Sequence, residues 1–244
     1  MGKRKDRREN AQRYARIAQR VAQSATAADE DCGSHPDAPL ADELLASSKE
    51  LSTLVSANGR RELPKMKKFR FQLLHQWMTA YLEPCRVADV GGGKGLLSYL
   101  LQGSGWSAIV IDPIEQALPA KYKDLSSNQQ MRIAASEQVP RLNCAFAPEM
   151  AQDFDLLVAM HAHGCNIQIV DAAARFGCEV ILLPCCVIHE PIHPPPGIHW
   201  IQWLVEYVLE KGFVVEPFRL NFKGQNIGIY ARKMAYQTVV VPVL

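Results

Sequence analysis

The 244-residue chain holds 27 Lys and Arg against 25 Asp and Glu, a net charge of +2, and is 48% hydrophobic, which suits one α/β core with an appendage and requires no second catalytic domain. Its longest apolar runs, such as the one from Glu179 to Pro184, have strand length and fall far short of the roughly 20 residues a membrane span needs, and no apolar stretch follows the basic start as a secretory signal would require. Seven cysteines without framework spacing indicate reduced thiols, so the expected location is cytoplasmic, with organelle targeting through the Arg-rich start as a lesser alternative.

Residues 3–24 place Tyr14, Ile17, Ala18 and Val21 at helical spacing on a basic background, a stripe too thin to form a core alone. Residues 25–38 are small, acidic and contain Pro and Gly, and read as a linker. The expected organisation is therefore a basic helix and linker over 1–38, then a main domain over 39–244 with a helical lead-in at 39–83. Within that lead-in, Leu40, Leu44, Leu51, Leu54 and Val55 share one helical face before Asn58-Gly59 breaks it. Positive charge is concentrated. Residues 1–20 hold eight basic residues against two acids, and residues 60–70 hold six against one, together +11, so the rest of the chain carries −9. Such a footprint suits a polyanion, RNA being the commonest, with Arg4, Lys5, Arg7, Arg8, Arg60, Arg61, Lys65, Lys67 and Lys68 as the candidate nucleic-acid-binding residues.

Phe71, Leu74, Trp77, Met78 and Tyr81 keep a helical period up to Glu83-Pro84. Beyond it the pattern predicts strand 85–90, helix 95–102, strand 106–112, an ambiguous stretch 113–140, a short strand 142–146, strand 154–160, helix 166–176, strand 178–184, a Pro-rich loop 190–197, helix 199–211, and closing strands 213–220 and 226–233. Alternating β and α elements imply an α/β, Rossmann-like fold, mainly parallel and covered on both faces, with a C-terminal antiparallel hairpin and ligands at the carboxyl ends of the strands. Trp77, Trp200 and Trp203 read as packing residues.

The first of those strands ends in Asp89-Val90-Gly91-Gly92-Gly93-Lys94-Gly95, a turn almost without side chains that opens a helix. Glycines at 91, 93 and 95 tolerate positive φ, and the expectation is that they leave main-chain N–H groups free for a ligand. Asp112 ends the next apolar run, the separation at which an acid grips a ribose. An acid ahead of the first glycine would repel a pyrophosphate and welcome a cation. Lys94 gives a superficial likeness to a phosphate-binding loop, but the GxxxxGK[ST] spacing is absent. The DVGGGKG run resembles the first motif of the class I S-adenosylmethionine-dependent methyltransferases, whose fold ends typically in an antiparallel strand. The resemblance implies S-adenosyl-L-methionine as cofactor, with Asp89, Gly91, Gly92, Gly93, Gly95 and Asp112 around it; Phe146 is the candidate adenine contact by position alone.

A second constellation follows. Five of the seven histidines lie between 161 and 199, and the segments Met160-His161-Ala162-His163-Gly164-Cys165 and Leu183-Pro184-Cys185-Cys186-Val187-Ile188-His189 each follow a predicted strand. In a parallel sheet those ends open on the same crevice as the glycine turn. MHAHGC, a helix with Asp171, and a strand ending LPCC resemble the HxCG…D…PCC pattern of a methyltransferase-like family that includes the glutathione S-transferase C-terminal-domain-containing methyltransferase-like proteins, over roughly residues 65–190. The likeness departs at His163-Gly164-Cys165, where the thiol is displaced by two positions. It implies that His161, Pro184, Cys185 and Cys186 shape the substrate side.

Three chemistries compete for this cluster, with plain packing beside them. His161 or His163 could orient a substrate or accept its proton. Cys185 or Cys186 could be a nucleophile toward a pyrimidine. Thiols and imidazoles could hold Zn²⁺, although Cys185-x₃-His189-x₃-His193 and His161-x-His163-x-Cys165 match no standard zinc signature, so no metal ligands are assigned and His161, His163, Cys185 and Cys186 stand as catalytic candidates. The expected function is an S-adenosylmethionine-dependent methyltransferase acting on RNA, either rRNA or tRNA, with the ribosome as a further candidate partner. The alternatives are a non-catalytic RNA- or ribosome-binding protein of the same fold and a methyltransferase of small molecules or proteins.

Overall fold

The computed structural model describes residues 69–233. The basic segments at 1–20 and 60–68, the linker, the helix expected over 40–56 and the tail from Met234 lie outside the described residues.

Helix α1 (Arg70–Tyr81) leads into strand β1 (Arg86–Val90), then α2 (Leu96–Gly103) and β2 (Ser107–Ile111). Two three-residue strands, β3 (Lys121–Lys123) and β4 (Gln130–Arg132), precede the two-residue β5 (Arg141–Leu142) and a 3-10 turn at Pro148–Asp153. The chain continues through β6 (Leu156–Met160), α3 (Asn166–Phe176), β7 (Glu179–Leu183), α4 (Trp200–Glu210), β8 (Phe213–Arg219) and β9 (Ile227–Lys233).

Seven strands form one sheet in the order β5-β2-β1-β6-β7-β9-β8. β5, β2, β1, β6 and β7 run parallel, while β9 inserts antiparallel between β7 and β8. This is the Rossmann-like, mainly parallel arrangement expected from the sequence, including its closing antiparallel hairpin. Pro217 lies in β8 at the sheet edge, where a missing ladder donor is tolerated. The chain leaves β1 toward β2 on one side and later returns to β6 on the other, so a crevice opens at the carboxyl end of β1.

The period-2 alternation of the central strands divides the apolar residues between two cores. Val87, Leu156, Val158, Ile181 and Leu183 face α1 and α2 with Leu74, Met78, Leu97 and Leu101. Ala88, Val90, Leu157, Ala159, Val180 and Leu182 face α3 and α4 with Ile169, Val170, Leu204 and Val208. Burial on both faces explains why these strands read as continuous apolar runs. Trp77 stacks on Phe218 at 4.1 Å between ring centroids, and Trp200 stacks on Trp203 at 5.6 Å beside the α3/α4 core, in keeping with their reading as packing residues.

The structure departs from the sequence reading in one stretch. Residues 113–140 contain the β3–β4 hairpin, which pairs outside the main sheet, and the strand expected at 142–146 is only Arg141–Leu142. Short, mostly exposed strands lack the apolar alternation that marks a half-buried one.

Candidate active site

Asp89 is 1% exposed, and its Oδ2 accepts a 2.9 Å hydrogen bond from Ser98 Oγ on α2. It shares the Val87 face of β1, so it points beneath the glycine turn toward α2. A Cβ on Gly92 would lie 2.6 Å from the Asp89 carboxyl carbon, which leaves only glycine at that position. Burial, with the nearby Asp112 charge adding to it, pushes the Asp89 carboxyl up to about 6 against the opposing Ser98 hydrogen bonds. Arg141 is the one cation among these influences and the smallest of them, so burial outweighs positive charge at this acid. In this conformation Asp89 would act on a ligand as a charge under the turn rather than by contact.

Asp112 does point at the turn. Its Oδ2 accepts from Gly93 N at 2.8 Å, and its Oδ1 accepts from Ile114 N at 2.8 Å. Gly91, Gly93 and Gly95 all have positive φ, as the sequence predicts, but their N–H groups are not free. Gly91 N donates to Ile111 O, Gly93 N to Asp112, and Gly95 N to Gly92 O. A turn that spends these donors internally is ill suited to a phosphate, which needs them directed outward. The turn's close approaches are likewise to protein: a Cβ on Gly91 would lie 2.7 Å from Ala162 Cβ, so the turn is pressed against the segment between His161 and His163.

Arg141, which the sequence did not single out, staples this region. Its guanidinium donates to Gly93 O at 3.1 Å, Ile114 O at 3.0 Å and Gln116 O at 2.8 Å. One cation thus fixes the loop after β2 against the glycine turn. Phe146 is 7% exposed and belongs to the α3/α4 core with Leu142 and Met150.

The second constellation gathers at the ends of β6 and β7, whose last residues Met160 and Leu183 are paired in register. His163 Nε2 lies 3.2 Å from Cys185 Sγ, His163 Nδ1 lies 3.7 Å from Cys186 Sγ, and the two sulfurs are 3.6 Å apart. Cys165 is not in this group; burial, with Glu190 adding to it, pushes its thiol up to about 12. Asp171 lies on α3 and pairs with Tyr207 and Lys211 at 2.7 Å each, a structural role.

His161 has φ 57° and sits edge-on to Phe222 at 6.0 Å. Burial chiefly, then the charges of Arg70 and His163, hold its imidazole down to about 4, so it is neutral across the physiological range, in the form that accepts a proton but a weaker base than an ordinary imidazole. It borders a cavity of about 470 Å³ lined also by Phe69, Arg70, Phe71, Phe222 and Lys223. Three rings and two cations around one imidazole suit a planar base carrying phosphate.

The Pro-rich loop is anchored by a residue the sequence reading passed over. Glu190 is 3% exposed and accepts from Asn166 N at 3.1 Å, Asn166 Nδ2 at 2.6 Å and Ile167 N at 3.1 Å, capping α3 from outside its own sequence. Such a cap carries no local sequence signal, because donor and acceptor lie more than 20 residues apart.

No protein-family model matches the chain. Over 104 residues it is 29% identical to a Caenorhabditis elegans protein and 28% identical to a Caenorhabditis briggsae protein, each named probable tRNA (uracil-O(2)-)-methyltransferase. Each match takes in 43% of this chain and 18% of the relative, so the chain spans under a fifth of the length of the curated relatives it matches. Among solved structures, the 1,6-didemethyltoxoflavin-N1-methyltransferase of Burkholderia thailandensis is similar with a TM-score of 0.39 and 15% identity over 82% of this chain and 94% of that one. The precorrin-6y C5,15-methyltransferase of Geobacter metallireducens has a TM-score of 0.43 and 16% identity over 73% and 96% respectively.

Proposed function

We propose that this chain is an S-adenosyl-L-methionine-dependent methyltransferase whose substrate is RNA, tRNA in the first place. The observation that carries the reading is the pair of carboxylates around the glycine turn, Asp89 buried beneath it and Asp112 beside it, with the N–H groups of Gly91, Gly93 and Gly95 already engaged. That arrangement favours a cation and disfavours a phosphate, which separates a sulfonium cofactor from a dinucleotide.

S-adenosylmethionine, when bound, supplies an electrophilic methyl group. Asp112 would exchange its Gly93 N–H partner for ribose hydroxyls, and the ionised Asp89 would stabilise the cofactor's positive charge from below. Arg141 keeps the loop after β2 in place while this happens. On the substrate side, His161 accepts the proton that the methylated atom must lose, and the aromatic and basic side chains around it hold a nucleotide. Methyl transfer mainly requires such alignment.

The names of the curated relatives support tRNA over rRNA as the substrate class. The basic residues at 4–8 and 60–68 would grip the RNA backbone, giving affinity without sequence information. Calorimetry with S-adenosylmethionine on the whole chain and on Asp112→Ala tests the cofactor assignment. A stoichiometric binding heat that the substitution abolishes is expected; no heat from the unaltered chain would overturn it. Mass spectrometry of tRNA from cells with and without the protein then reads the substrate, with loss of one methylated nucleoside as the expected result.

A further inference from the structure

We propose that His163, Cys185 and Cys186 bind one Zn²⁺ ion at the carboxyl ends of β6 and β7, with a fourth coordination position open to the crevice. Sequence spacing matches no zinc signature because the ligands come from two separate strand ends. Parallel pairing of β6 and β7 then sets them side by side. Among the described residues they are the one group of three His, Cys, Asp or Glu side chains whose ligand atoms all lie within 4.8 Å of one another.

The distances fit the ion. With Zn–S near 2.3 Å and Zn–N near 2.0–2.1 Å, a tetrahedral site separates two sulfurs by about 3.8 Å and a sulfur from a nitrogen by about 3.6 Å. The observed separations are 3.6 Å between the sulfurs, 3.2 Å from Cys185 Sγ to His163 Nε2 and 3.7 Å from Cys186 Sγ to His163 Nδ1, so each ring nitrogen stands at ligand distance from one sulfur. Only one of these nitrogens can bind the ion, and the exposed His163 ring must turn to bring it to both sulfurs. Two thiolates and an imidazole are soft to borderline donors, which select zinc over magnesium or calcium.

Both ligand-bearing segments are also tied to each other. Gly164 packs where a Cβ would lie 2.8 Å from His189 Cβ, and Glu190 binds Asn166 and Ile167 at the start of α3. The two segments that carry the ligands are therefore held together by the fold. Among the described residues the group offers three ligands, one of them exposed, which is the count of an open site rather than of the closed four-ligand shell of a structural zinc. Binding releases two thiol protons to solvent and forms two Zn–S bonds and one Zn–N bond.

The site adjoins the glycine turn through the close approach of Gly91 and Ala162. A substrate oxygen or nitrogen in the fourth position would thus sit beside the methyl donor; that last step rests on the function proposed above, whereas metal binding does not.

The test uses the whole chain without a histidine tag, with thiols kept reduced and metal removed by chelator, titrated with Co²⁺ and then competed with Zn²⁺, in the absence of S-adenosylmethionine. One Co²⁺ per chain with thiolate-to-cobalt charge-transfer absorption, displaced by one Zn²⁺, is expected. Cys185→Ser, Cys186→Ser and His163→Ala should each lower affinity by more than the 10–100-fold that losing an outer-shell partner costs, and Cys144→Ser should leave it unchanged. His163 is exposed, so its replacement tests the site without endangering the fold. Absence of charge-transfer absorption in the unaltered chain, or unchanged affinity in His163→Ala and both serine variants, overturns the proposal. A chain that binds Zn²⁺ but gives no heat with S-adenosylmethionine would keep the metal site and discard the methyltransferase reading.

Discussion

Replacing Asp89 with asparagine should stabilise the protein at neutral pH while weakening its hold on a cationic ligand. The folded chain keeps this carboxyl protonated up to about 6, against 3.8 for a free one, and burial is the main cause. Because the native state binds the proton more tightly than the unfolded state, the group's contribution is most favourable below about pH 4 and is lost as pH rises toward 6. At neutral pH the ionised form costs the native state about 3 kcal/mol. Asparagine removes that cost and can still accept from Ser98, although its added amide donors give back about 1 kcal/mol of it. The expected gain is about 2 kcal/mol near pH 7.5, turning into a loss of about 0.5 kcal/mol near pH 4. Urea unfolding of Asp89→Asn and the unaltered chain at both pH values measures it, and calorimetry should show S-adenosylmethionine binding weakened at least about tenfold, or about 1.4 kcal/mol. An equal change in stability at the two pH values, or tighter cofactor binding by the variant, would refute the electrostatic reasoning.

Other consequences can be measured separately. His161→Asn retains a residue that tolerates the positive φ at this position but removes the proton acceptor, and should lower kcat about 100-fold or more with the fold intact by circular dichroism. In the unaltered enzyme, with His161 held down to about 4, kcat/KM should show no His161-dependent fall between about pH 8 and pH 5, whereas an ordinary imidazole would lose activity below about 6.5; a break near 6.5 that disappears in His161→Asn contradicts this assignment. Glu190→Ala strips three donors at the start of α3 of their buried acceptor and should cost about 2–3 kcal/mol in urea unfolding, with a loss under about 0.5 kcal/mol marking the cap as unimportant. Reversing charge at Arg60, Arg61, Lys67 and Lys68 should weaken tRNA binding and make its logarithmic salt slope shallower by about 0.7–0.9 for each phosphate that is no longer neutralised; unchanged binding removes these residues from the interface.

Much of the fold was legible because its signals are local. Strands β1, β2, β6 and β7 are apolar runs buried on both faces, and α3 ends at Gly177, whose positive φ gives the left-handed cap. The β3–β4 hairpin was illegible for the opposite reason: strands of three residues, mostly exposed, leave no periodicity to read. At the site, the glycine turn and Asp112 were evident from residue type and spacing. The roles of Ser98, Arg141 and Glu190 were not, since each acts on partners chosen by packing. The expectation of free glycine N–H groups failed similarly at Gly91 and Gly93, because their acceptors Ile111 and Asp112 come from the neighbouring strand and its end, whereas Gly95 donates within the turn to Gly92 O.

The sequence by itself determined which segments become strands and helices, where the turn must be glycine, and that an acid stands on each side of it, because backbone conformation and burial period depend on residues close in the chain. Only the tertiary structure decided that Asp89 lies buried under the turn against Ser98, and that His163 meets Cys185 and Cys186 while Cys165 stays apart. Those outcomes depend on which strands become neighbours and in what register, and strand pairing is settled by the packing of the whole sheet.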